Sequence, residues 1–234
     1  MLKAMILAAG QGKRLRPITN TIPKPMVSAG GKSLIEWHLH KLKALGIDNI
    51  VVNGAYLKEV LFDYLQDGAR FGVHLEQSSE EGEGLETAGG IIKALPLLGD
   101  EPFLVINGDI FLDCPYDFLL PCPQELLETD ANGTPKCYGH LYLTPNPAHN
   151  LKGDYALTDK GLLSYGSDYT FAGFAWYHPL AFAKRQVARE PLRPYFDQWV
   201  AQQKLSASIL DARWFDVGTV ERLHELEDYL QTKS

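Results

Sequence analysis

The chain is poor in cysteine, has no long apolar run and lacks an excess of basic residues. Its three cysteines, Cys114, Cys122 and Cys137, stand at spacings that match no zinc or redox motif, which favours reduced thiols over a disulfide with one cysteine left over. No apolar stretch approaches the roughly 20 residues that a membrane-spanning helix needs. The apolar start of the chain is followed at once by basic residues, the reverse of the order in a secretory signal. We therefore expect a cytoplasmic protein with no membrane partner.

The net charge of the chain indicates which kinds of ligand it can bind. The chain has 22 lysines and arginines against 29 acidic residues, for a net charge of −7. A nucleic-acid backbone is bound best by a basic face, so we expect no nucleic-acid partner. A small polyanion is compatible with this composition, because it needs only a local cluster of cations.

Short apolar strands alternate with amphipathic helices in the first half of the chain. The pattern predicts strands at 3–8, 50–53, 73–77 and 103–107 and helices at 33–45, 57–65 and 87–95. Ser33 and Glu36 form a predicted capping box, and Pro96 is predicted to end the third helix. This alternation implies right-handed βαβ units and a mostly parallel sheet with helices on both faces, whose ligands bind beyond the carboxyl ends of the strands.

The second half is less regular and richer in proline. Its predicted strands are 138–144, 155–158, 162–165, 171–177 and 214–216, and its predicted helices are 179–188, 194–202 and 219–230. A turn at 159–161 is expected to join two of these strands into a hairpin. We found no repeat and no flexible linker, so the prediction is one α/β domain over residues 1–234 with a small β insertion in its second half.

A loop with two glycines and three cations follows the first predicted strand. The segment reads LAAGQGKRLRP from position 7, and its glycines allow backbone N–H groups to converge on phosphate oxygens. It is not the dinucleotide fingerprint, because Leu15 stands where the third glycine belongs. It is not a P-loop either, because Arg14 follows Lys13 where serine or threonine is required. The alternative is a tight turn that carries solvated charges.

One lysine and two aspartates are further candidates. Lys24 lies between two prolines that hold it extended, as suits a phosphate-binding lysine, although a rigid surface loop has the same pattern. Asp109 follows a buried strand, and Asp216 follows a short apolar run; a turn or a helix cap is the alternative for each. Two carboxylates together with phosphate oxygens and waters complete an octahedral magnesium shell. The histidines show no zinc spacing, and none is predicted to assist catalysis.

Four segments in this order carry a resemblance: A-A-G-x-G-x-R-L-R-P, P-K-P-M, N-G-D and W-x-D-V-G-T. Together they resemble the sugar-phosphate nucleotidyltransferase family from Met5 to Thr219. The resemblance implies a Rossmann-like GT-A nucleotidyltransferase fold. It also implies the reaction of a nucleoside triphosphate with a sugar 1-phosphate to give a nucleotide-sugar and pyrophosphate. Such a transfer depends on positioning and charge neutralisation and needs no covalent nucleophile.

The resemblance also assigns roles to individual residues. It implies that Arg14, Lys24 and Asp109 are catalytic and that Asp109 and Asp216 hold Mg²⁺. It places the sugar phosphate near Asn107, Asp154 and Glu86. It implies that a larger set of residues binds the nucleoside triphosphate: Ala9, Gly10, Gly12, Lys13, Arg14, Lys24 and Glu81.

The segment L-E-T-A-G-G at 85–90 separates subgroups. Many hexose 1-phosphate members have glycine where this chain has Glu86, and the present form, with Gly153-Asp154-Tyr155, is most similar to members that transfer UMP to N-acetylmuramate 1-phosphate in cell-wall recycling. The E-K-P segment of the hexose enzymes is absent. Mannose or glucose 1-phosphate as substrate, and a non-catalytic sugar-nucleotide-sensing subunit, are the alternatives. A GT-A glycosyltransferase is disfavoured, because Phe111 replaces the second aspartate of a D-x-D motif. The sequence does not predict the oligomeric state.

Overall fold

The computed structural model describes residues 2–233, which form a nine-stranded sheet, two small two-stranded sheets and six α-helices. The strands are β1 (Lys3–Leu7), β2 (Ser28–Ala29), β3 (Lys32–Ser33), β4 (Asn49–Gly54), β5 (His74–Ser79), β6 (Phe103–Asn107), β7 (Ile110–Leu112), β8 (Gly139–Pro145), β9 (Tyr155–Leu157), β10 (Leu163–Tyr165), β11 (Tyr169–Tyr177), β12 (Leu205–Ile209) and β13 (Trp214–Asp216). The helices are α1 (Leu34–Ala44), α2 (Lys58–Leu65), α3 (Glu86–Leu98), α4 (Gln124–Leu127), α5 (Arg193–Ala201) and α6 (Val220–Gln231). None of these helices is long and apolar enough to cross a membrane.

The centre of the large sheet is parallel. Strands β6, β1, β4 and β5 lie side by side in that order, with Ala4 opposite both Ile50 and Leu104. Because these four strands run in the same direction, their carboxyl ends meet at one edge of the sheet, where open α/β sheets bind ligands. The predicted α/β fold with a parallel centre is confirmed.

Helices cover both faces of this sheet. Ala4 and Ile6 of β1 pack in one apolar cluster with α1 and α2, whereas Met5 between them packs in a second cluster with α3 and α5. Successive side chains of a strand point to opposite faces, so an uninterrupted apolar strand must be covered twice. The capping box of Ser33 and Glu36 starts α1 as predicted.

The second half extends the sheet with antiparallel pairings. Strand β11 runs antiparallel to β6, which brings the amino-terminal half of β11 to the carboxyl end of β6. Strands β9 and β10 form the expected antiparallel hairpin around Gly161, whereas β12 pairs parallel with β8. This addition is the predicted β insertion; the single domain predicted over residues 1–234 stays a prediction.

Two helix predictions are wrong in extent. Helix α3 continues through Pro96 to Leu98, because a proline in the last turn removes only a hydrogen bond near the helix end. The predicted helix 179–188 is a single turn at Pro179–Phe182 followed by irregular backbone. The following segment, residues 183–191, is hereafter the strap, and its Glu190 makes backbone hydrogen bonds to the start of α3.

A buried histidine beneath the site gives a prediction for stability. His38 of α1 is fully buried with Nδ1 2.7 Å from the Tyr116 hydroxyl, and burial lowers its pKa to about 3. Below pH 6.5 the unfolded chain therefore binds a proton that the folded chain does not bind, and the free energy of unfolding falls. Between pH 7 and pH 5 this loss is about 2 kcal/mol.

Chemical denaturation of the wild type and His38→Gln at both pH values measures this loss. The variant is expected to be less stable at pH 7 but to lose about 2 kcal/mol less on acidification. Equal losses in the two proteins would show that His38 does not titrate on unfolding.

Candidate active site

Two adjoining clefts open at the carboxyl edge of the parallel strands. The first, about 350 Å³, is lined by the loop after β1 and by the segment that leads into α3. The second, about 310 Å³, lies between β7, β13 and the start of β11. Asn107 and Asp109 line both clefts, so these two residues mark the junction between them. A molecule in one cleft therefore lies next to a molecule in the other.

The two glycines of the loop after β1 have different roles. Gly12 adopts φ +60°, and a Cβ atom there would lie 2.9 Å from Thr19 Cγ2, so a side chain is excluded by both backbone and space. The Thr19 hydroxyl donates to the Gly12 carbonyl at 2.8 Å and fixes this turn. Gly10 faces open space in the first cleft, together with Ala9. The loop therefore presents bare backbone to the cleft, as phosphate binding requires.

A buried polar network behind this loop was missed by sequence reasoning. The Ala8 N–H donates to Asn53 Oδ1 at 2.8 Å, and Asn53 Nδ2 donates to Glu80 Oε1 at 2.7 Å. The other oxygen of the fully buried Glu80 accepts from the Leu85 N–H at 2.7 Å. The network ties the glycine loop to the start of α3. The sequence did contain a signal for this network, because a polar residue stands at the carboxyl end of each of two neighbouring strands.

The paired glycines of L-E-T-A-G-G allow two close approaches. A Cβ atom at Gly90 would lie 2.7 Å from Glu80 Oε1, and one at Gly89 would lie 2.1 Å from the Ala188 carbonyl oxygen of the strap. The Gly89 N–H donates to the Glu190 carbonyl at 3.1 Å, and the Glu190 N–H donates to the Leu85 carbonyl at 2.9 Å. The motif therefore fastens α3 to the buried carboxylate on one side and to the strap on the other.

Gly89→Ala is expected to release the strap. Its methyl group cannot fit against the strap backbone, and overpacking of this kind costs about 1–3 kcal/mol. The strap contains Lys184, Arg185 and Arg189, so its release should accelerate trypsin cleavage there. Ala88→Gly is the matched control, because it weakens the same helix turn without touching the strap. Similar cleavage rates in the two variants would contradict the role assigned to Gly89.

Glu86 begins α3 in a backbone conformation that disfavours side chains. Its φ is +60°, a left-handed value uncommon for any residue with a Cβ atom, and such strain is concentrated at functional sites. Its carboxylate lies 3.2 Å from a terminal nitrogen of Arg189 on the strap, and the residue lines the first cleft. The contact with the sugar phosphate that the resemblance implies for Glu86 stays a prediction.

The two predicted metal-binding aspartates lie side by side. Strands β7 and β13 pair antiparallel with Ile110 opposite Asp216, and the Val217 N–H donates to the Asp109 carbonyl at 2.9 Å. Asp109 and Asp216 both line the second cleft, where Arg14 joins them. Two carboxylates far apart in the sequence are thus brought to one side of the molecule, next to the signature arginine.

Cations neutralise both carboxylates. Lys24 Nζ contacts Asp109 Oδ2, and Arg222 of α6 donates to Asp216 Oδ2 at 2.6 Å. Across residues 2–233 no group of three or more histidine, cysteine, aspartate or glutamate side chains is arranged to hold a metal by itself. Mg²⁺ is commonly bound by one or two carboxylates with the remaining ligands from substrate phosphates and waters. The donor set of Asp109 and Asp216 therefore fits a magnesium ion whose remaining ligands would be phosphate oxygens and waters.

A histidine that sequence reasoning dismissed also lies here. His149 lines the second cleft with Nε2 3.5 Å from Asp216 Oδ2, and its ring stacks on Trp214 with centroids 6.3 Å apart. Burial and the nearby Arg222 lower its pKa, although Asp216 acts in the opposite direction. His149 therefore favours its uncharged form at neutral pH. It lies in a proline-rich segment without periodicity, so no sequence pattern marked it.

Besides Gly12, which shapes the turn, three of the predicted site residues do not line the two clefts. Lys13 is exposed on the turn after Gly12, and the exposed Glu81 pairs with Lys58 at 2.7 Å. The Asp154 carboxylate accepts from Asn150 Nδ2 at 3.2 Å, and Asn150 itself lines the second cleft. Asp154 thus lies behind the cleft wall. The roles predicted for these three residues stay predictions.

Comparison with known proteins agrees with this geometry. A family model described as nucleotidyl transferase matches residues 3–127. The chain is 41% identical over 231 residues to an N-acetylmuramate alpha-1-phosphate uridylyltransferase of Neisseria meningitidis serogroup B, covering 97% of each chain. It is 30% identical to mannose-1-phosphate guanylyltransferase 1 of Arabidopsis thaliana over 93% of this chain and 61% of that protein.

The solved structures show the same fold at lower identity. A putative glucose-1-phosphate thymidylyltransferase from Bacillus anthracis superposes with a TM-score of 0.82 at 19% identity, covering 99% of this chain and 96% of that one. At that identity the likeness concerns the fold alone. The family match spans more than half of this chain, and the similarity to the Neisseria protein extends along nearly all of it. The chain belongs to the nucleotidyl transferase family.

Proposed function

We propose that the chain is a magnesium-dependent uridylyltransferase that transfers UMP from UTP to N-acetylmuramate 1-phosphate and releases pyrophosphate. The observation that carries this proposal is the meeting of Asp109 and Asp216 across β7 and β13, at the junction of two clefts beneath a glycine loop. The identity to the Neisseria uridylyltransferase over 97% of both chains supports the choice of nucleotide and sugar.

The first cleft is assigned to the nucleotide. The bare backbone at Ala9 and Gly10 is suited to phosphate oxygens, and Gly12 holds the turn that points the loop into the cleft. Lys24 lies at the floor between this loop and Asp109, where it is placed to neutralise a phosphate. Outside the cleft, Lys13 is assigned to the outer phosphates of the nucleotide, and Glu81 is assigned to its base.

Asp109 and Asp216 would hold the magnesium ion. When bound there, the ion supplies positive charge that reduces the repulsion between two phosphates and stabilises the departing pyrophosphate. Lys24 and Arg222, which neutralise the two carboxylates in the protein alone, would then turn to the substrate phosphates. This exchange makes metal binding depend on the nucleotide.

The second cleft is assigned to the reacting phosphate of the sugar. A sugar phosphate oxygen attacks the α-phosphorus of UTP, and the bond from that phosphorus to the pyrophosphate oxygen breaks. The attacking oxygen is already an anion, so no general base is needed, and the uncharged His149 fits a binding role there. Arg14 is placed to stabilise the charge that develops during transfer, and Asn107 at the junction is placed to orient the sugar phosphate.

Pyrophosphate release across a panel of substrates tests the proposal. The panel pairs UTP, GTP, dTTP and CTP with the 1-phosphates of N-acetylmuramate, N-acetylglucosamine, glucose and mannose, with Mg²⁺ present. UTP with N-acetylmuramate 1-phosphate is expected to give the highest kcat/KM. A preference for mannose or glucose 1-phosphate would replace the proposed sugar, and no release with any pair would favour a non-catalytic sensing subunit.

The proposed reaction implies a cellular role. Its sugar is a component of the bacterial cell wall, so we place the activity in the reuse of cell-wall sugar. UTP is the co-substrate, and we therefore place the reaction in the cytoplasm.

A further inference from the structure

A third cleft continues from the junction toward α5 and the strap. It encloses about 330 Å³ and shares Asn107 with the first two clefts. Its floor is apolar, with Val105, Phe171 and Phe196. Arg193, the first residue of α5, lines the wall of the cleft that α5 forms. If the phosphate of a sugar lies at the junction, the substituents of the sugar ring extend into this third cleft.

The guanidinium of Arg193 is held by two side chains. Its Nε donates to Asp197 Oδ1 at 3.0 Å, and its Cζ atom lies 4.8 Å from the ring centroid of Tyr165. The Tyr165 hydroxyl donates to the same carboxylate oxygen of Asp197. The ion pair with Asp197 uses Nε, so Asp197 does not occupy the terminal nitrogens of the guanidinium. A planar guanidinium fixed in this way is suited to two parallel hydrogen bonds with a carboxylate.

The acidic side chain on the opposite wall does not compete for Arg193. Glu86 also lines the third cleft, but its carboxylate pairs with Arg189 of the strap. From Lys184 to Arg193 the chain carries four cations and one acid, within a protein whose net charge is −7. The wall beside α5 is therefore locally positive, and the amino-terminal end of a helix adds to that potential.

We propose that Arg193 determines specificity for an acidic sugar by binding the carboxylate of the lactyl group of N-acetylmuramate 1-phosphate. This inference rests on the proposed function. N-acetylmuramate differs from N-acetylglucosamine by one lactyl ether, so the two sugar phosphates differ by one carboxylate and its short apolar stem. The apolar floor of the third cleft accommodates the stem and the acetyl methyl group. The arginine supplies the charge that a neutral sugar does not need.

Steady-state kinetics with UTP and each of these two sugar phosphates tests the inference in three proteins. Arg193→Gln is expected to lower kcat/KM for N-acetylmuramate 1-phosphate by about 10- to 100-fold, mainly through KM, as the loss of hydrogen bonds to a charged group predicts. Its kcat/KM for N-acetylglucosamine 1-phosphate should change by less than about twofold, since that sugar makes no such bond. Arg70→Gln is the matched control, because Arg70 also stacks on a tyrosine, Tyr64, but lines none of the three clefts, and it should keep the wild-type preference.

The outcomes separate this inference from the proposed function. Equal losses with both sugars, an unchanged preference in Arg193→Gln, or a preference lost equally in Arg70→Gln would overturn the inference alone. A wild-type enzyme that does not prefer N-acetylmuramate 1-phosphate would overturn the proposed function and the inference with it. If Arg193→Gln does not fold, Arg193→Lys decides, because one charge without the planar pair of donors should give an intermediate loss of the same preference.

Discussion

Asp109→Asn is expected to lower kcat by about 10³-fold or more, a loss typical of removing a preorganised charge at the reacting centre. The substitution keeps the size of the side chain but removes one of the two negative charges proposed to hold Mg²⁺. Asp109 is partly exposed, and its carboxylate contacts Lys24, so the variant should stay folded. Asp216→Asn is expected to have a similar effect, because its carboxylate faces the same cleft.

Turnover of UTP and N-acetylmuramate 1-phosphate at saturating Mg²⁺ measures this loss. Asp113→Asn is the matched control, since Asp113 lies four residues further along the chain and contacts Lys233 and Tyr229 outside the clefts. The control should keep kcat within about twofold, as expected for a substitution remote from the reacting groups. Full magnesium-dependent activity in Asp109→Asn or Asp216→Asn would show that the metal assignment is wrong.

Arg14→Ala is expected to reduce kcat by about 10²-fold while weakening UTP binding much less. Arg14 lines the second cleft with Asp109 and Asp216, beyond the glycine loop, and within residues 2–233 it forms no salt bridge with a carboxylate. It is therefore free to respond to charge that appears only as pyrophosphate departs. An interaction that strengthens in the transition state lowers kcat and kcat/KM together when it is removed.

Single-turnover kinetics and calorimetric titration with UTP separate the two effects of Arg14→Ala. Arg16→Ala is the control, because this exposed arginine lies two residues further along and lines none of the three clefts. It should leave both quantities near the wild type. Equal losses of UTP affinity and kcat in Arg14→Ala would mean that the arginine binds only the ground state.

Features that depend on local sequence were predictable. In the capping box, Ser33 and Glu36 accept hydrogen bonds from each other's backbone N–H groups at the start of α1. Because the two residues are only three positions apart, four consecutive residues of the sequence suffice to predict it. The buried strands β1, β4 and β6 are short apolar runs between turn residues, and they were predicted to within one residue at each end. Asp109 and Asp216 were selected as candidate metal ligands because each lies just after a short apolar run.

Features that depend on tertiary contacts were not predictable. Strands β7 and β12 were not predicted, because their segments IFL and LSASI are too short to stand out and obtain hydrogen-bond partners only from β13 and β8. The predicted helix 179–188 ends after one turn, and the chain just beyond it is held at Glu190 by backbone hydrogen bonds to Leu85 and Gly89. These partners lie about 100 residues earlier in the chain, and no local propensity encodes them.

The site shows the same division. The sequence predicted the glycine loop and Asn107 in their observed places, because strand ends in a parallel sheet fix them. It selected the exposed Glu81 and overlooked the neighbouring Glu80, which is fully buried. A short loop has no regular periodicity in its sequence, so the sequence does not show which of its residues are buried and which are exposed. His149 was missed for a similar reason, since only folding brings it to Asp216.

The central claim is that Asp109 and Asp216 jointly hold one divalent ion with the nucleotide. Electron paramagnetic resonance of Mn²⁺, titrated into the protein with a UTP analogue that cannot be cleaved between the α- and β-phosphates, tests it most directly. The account predicts one protein-bound Mn²⁺ in the wild type and in Asp113→Asn, and an affinity at least about tenfold weaker in Asp109→Asn and in Asp216→Asn, because each removes one of two charged ligands. Wild-type Mn²⁺ affinity in either of the last two variants would contradict it.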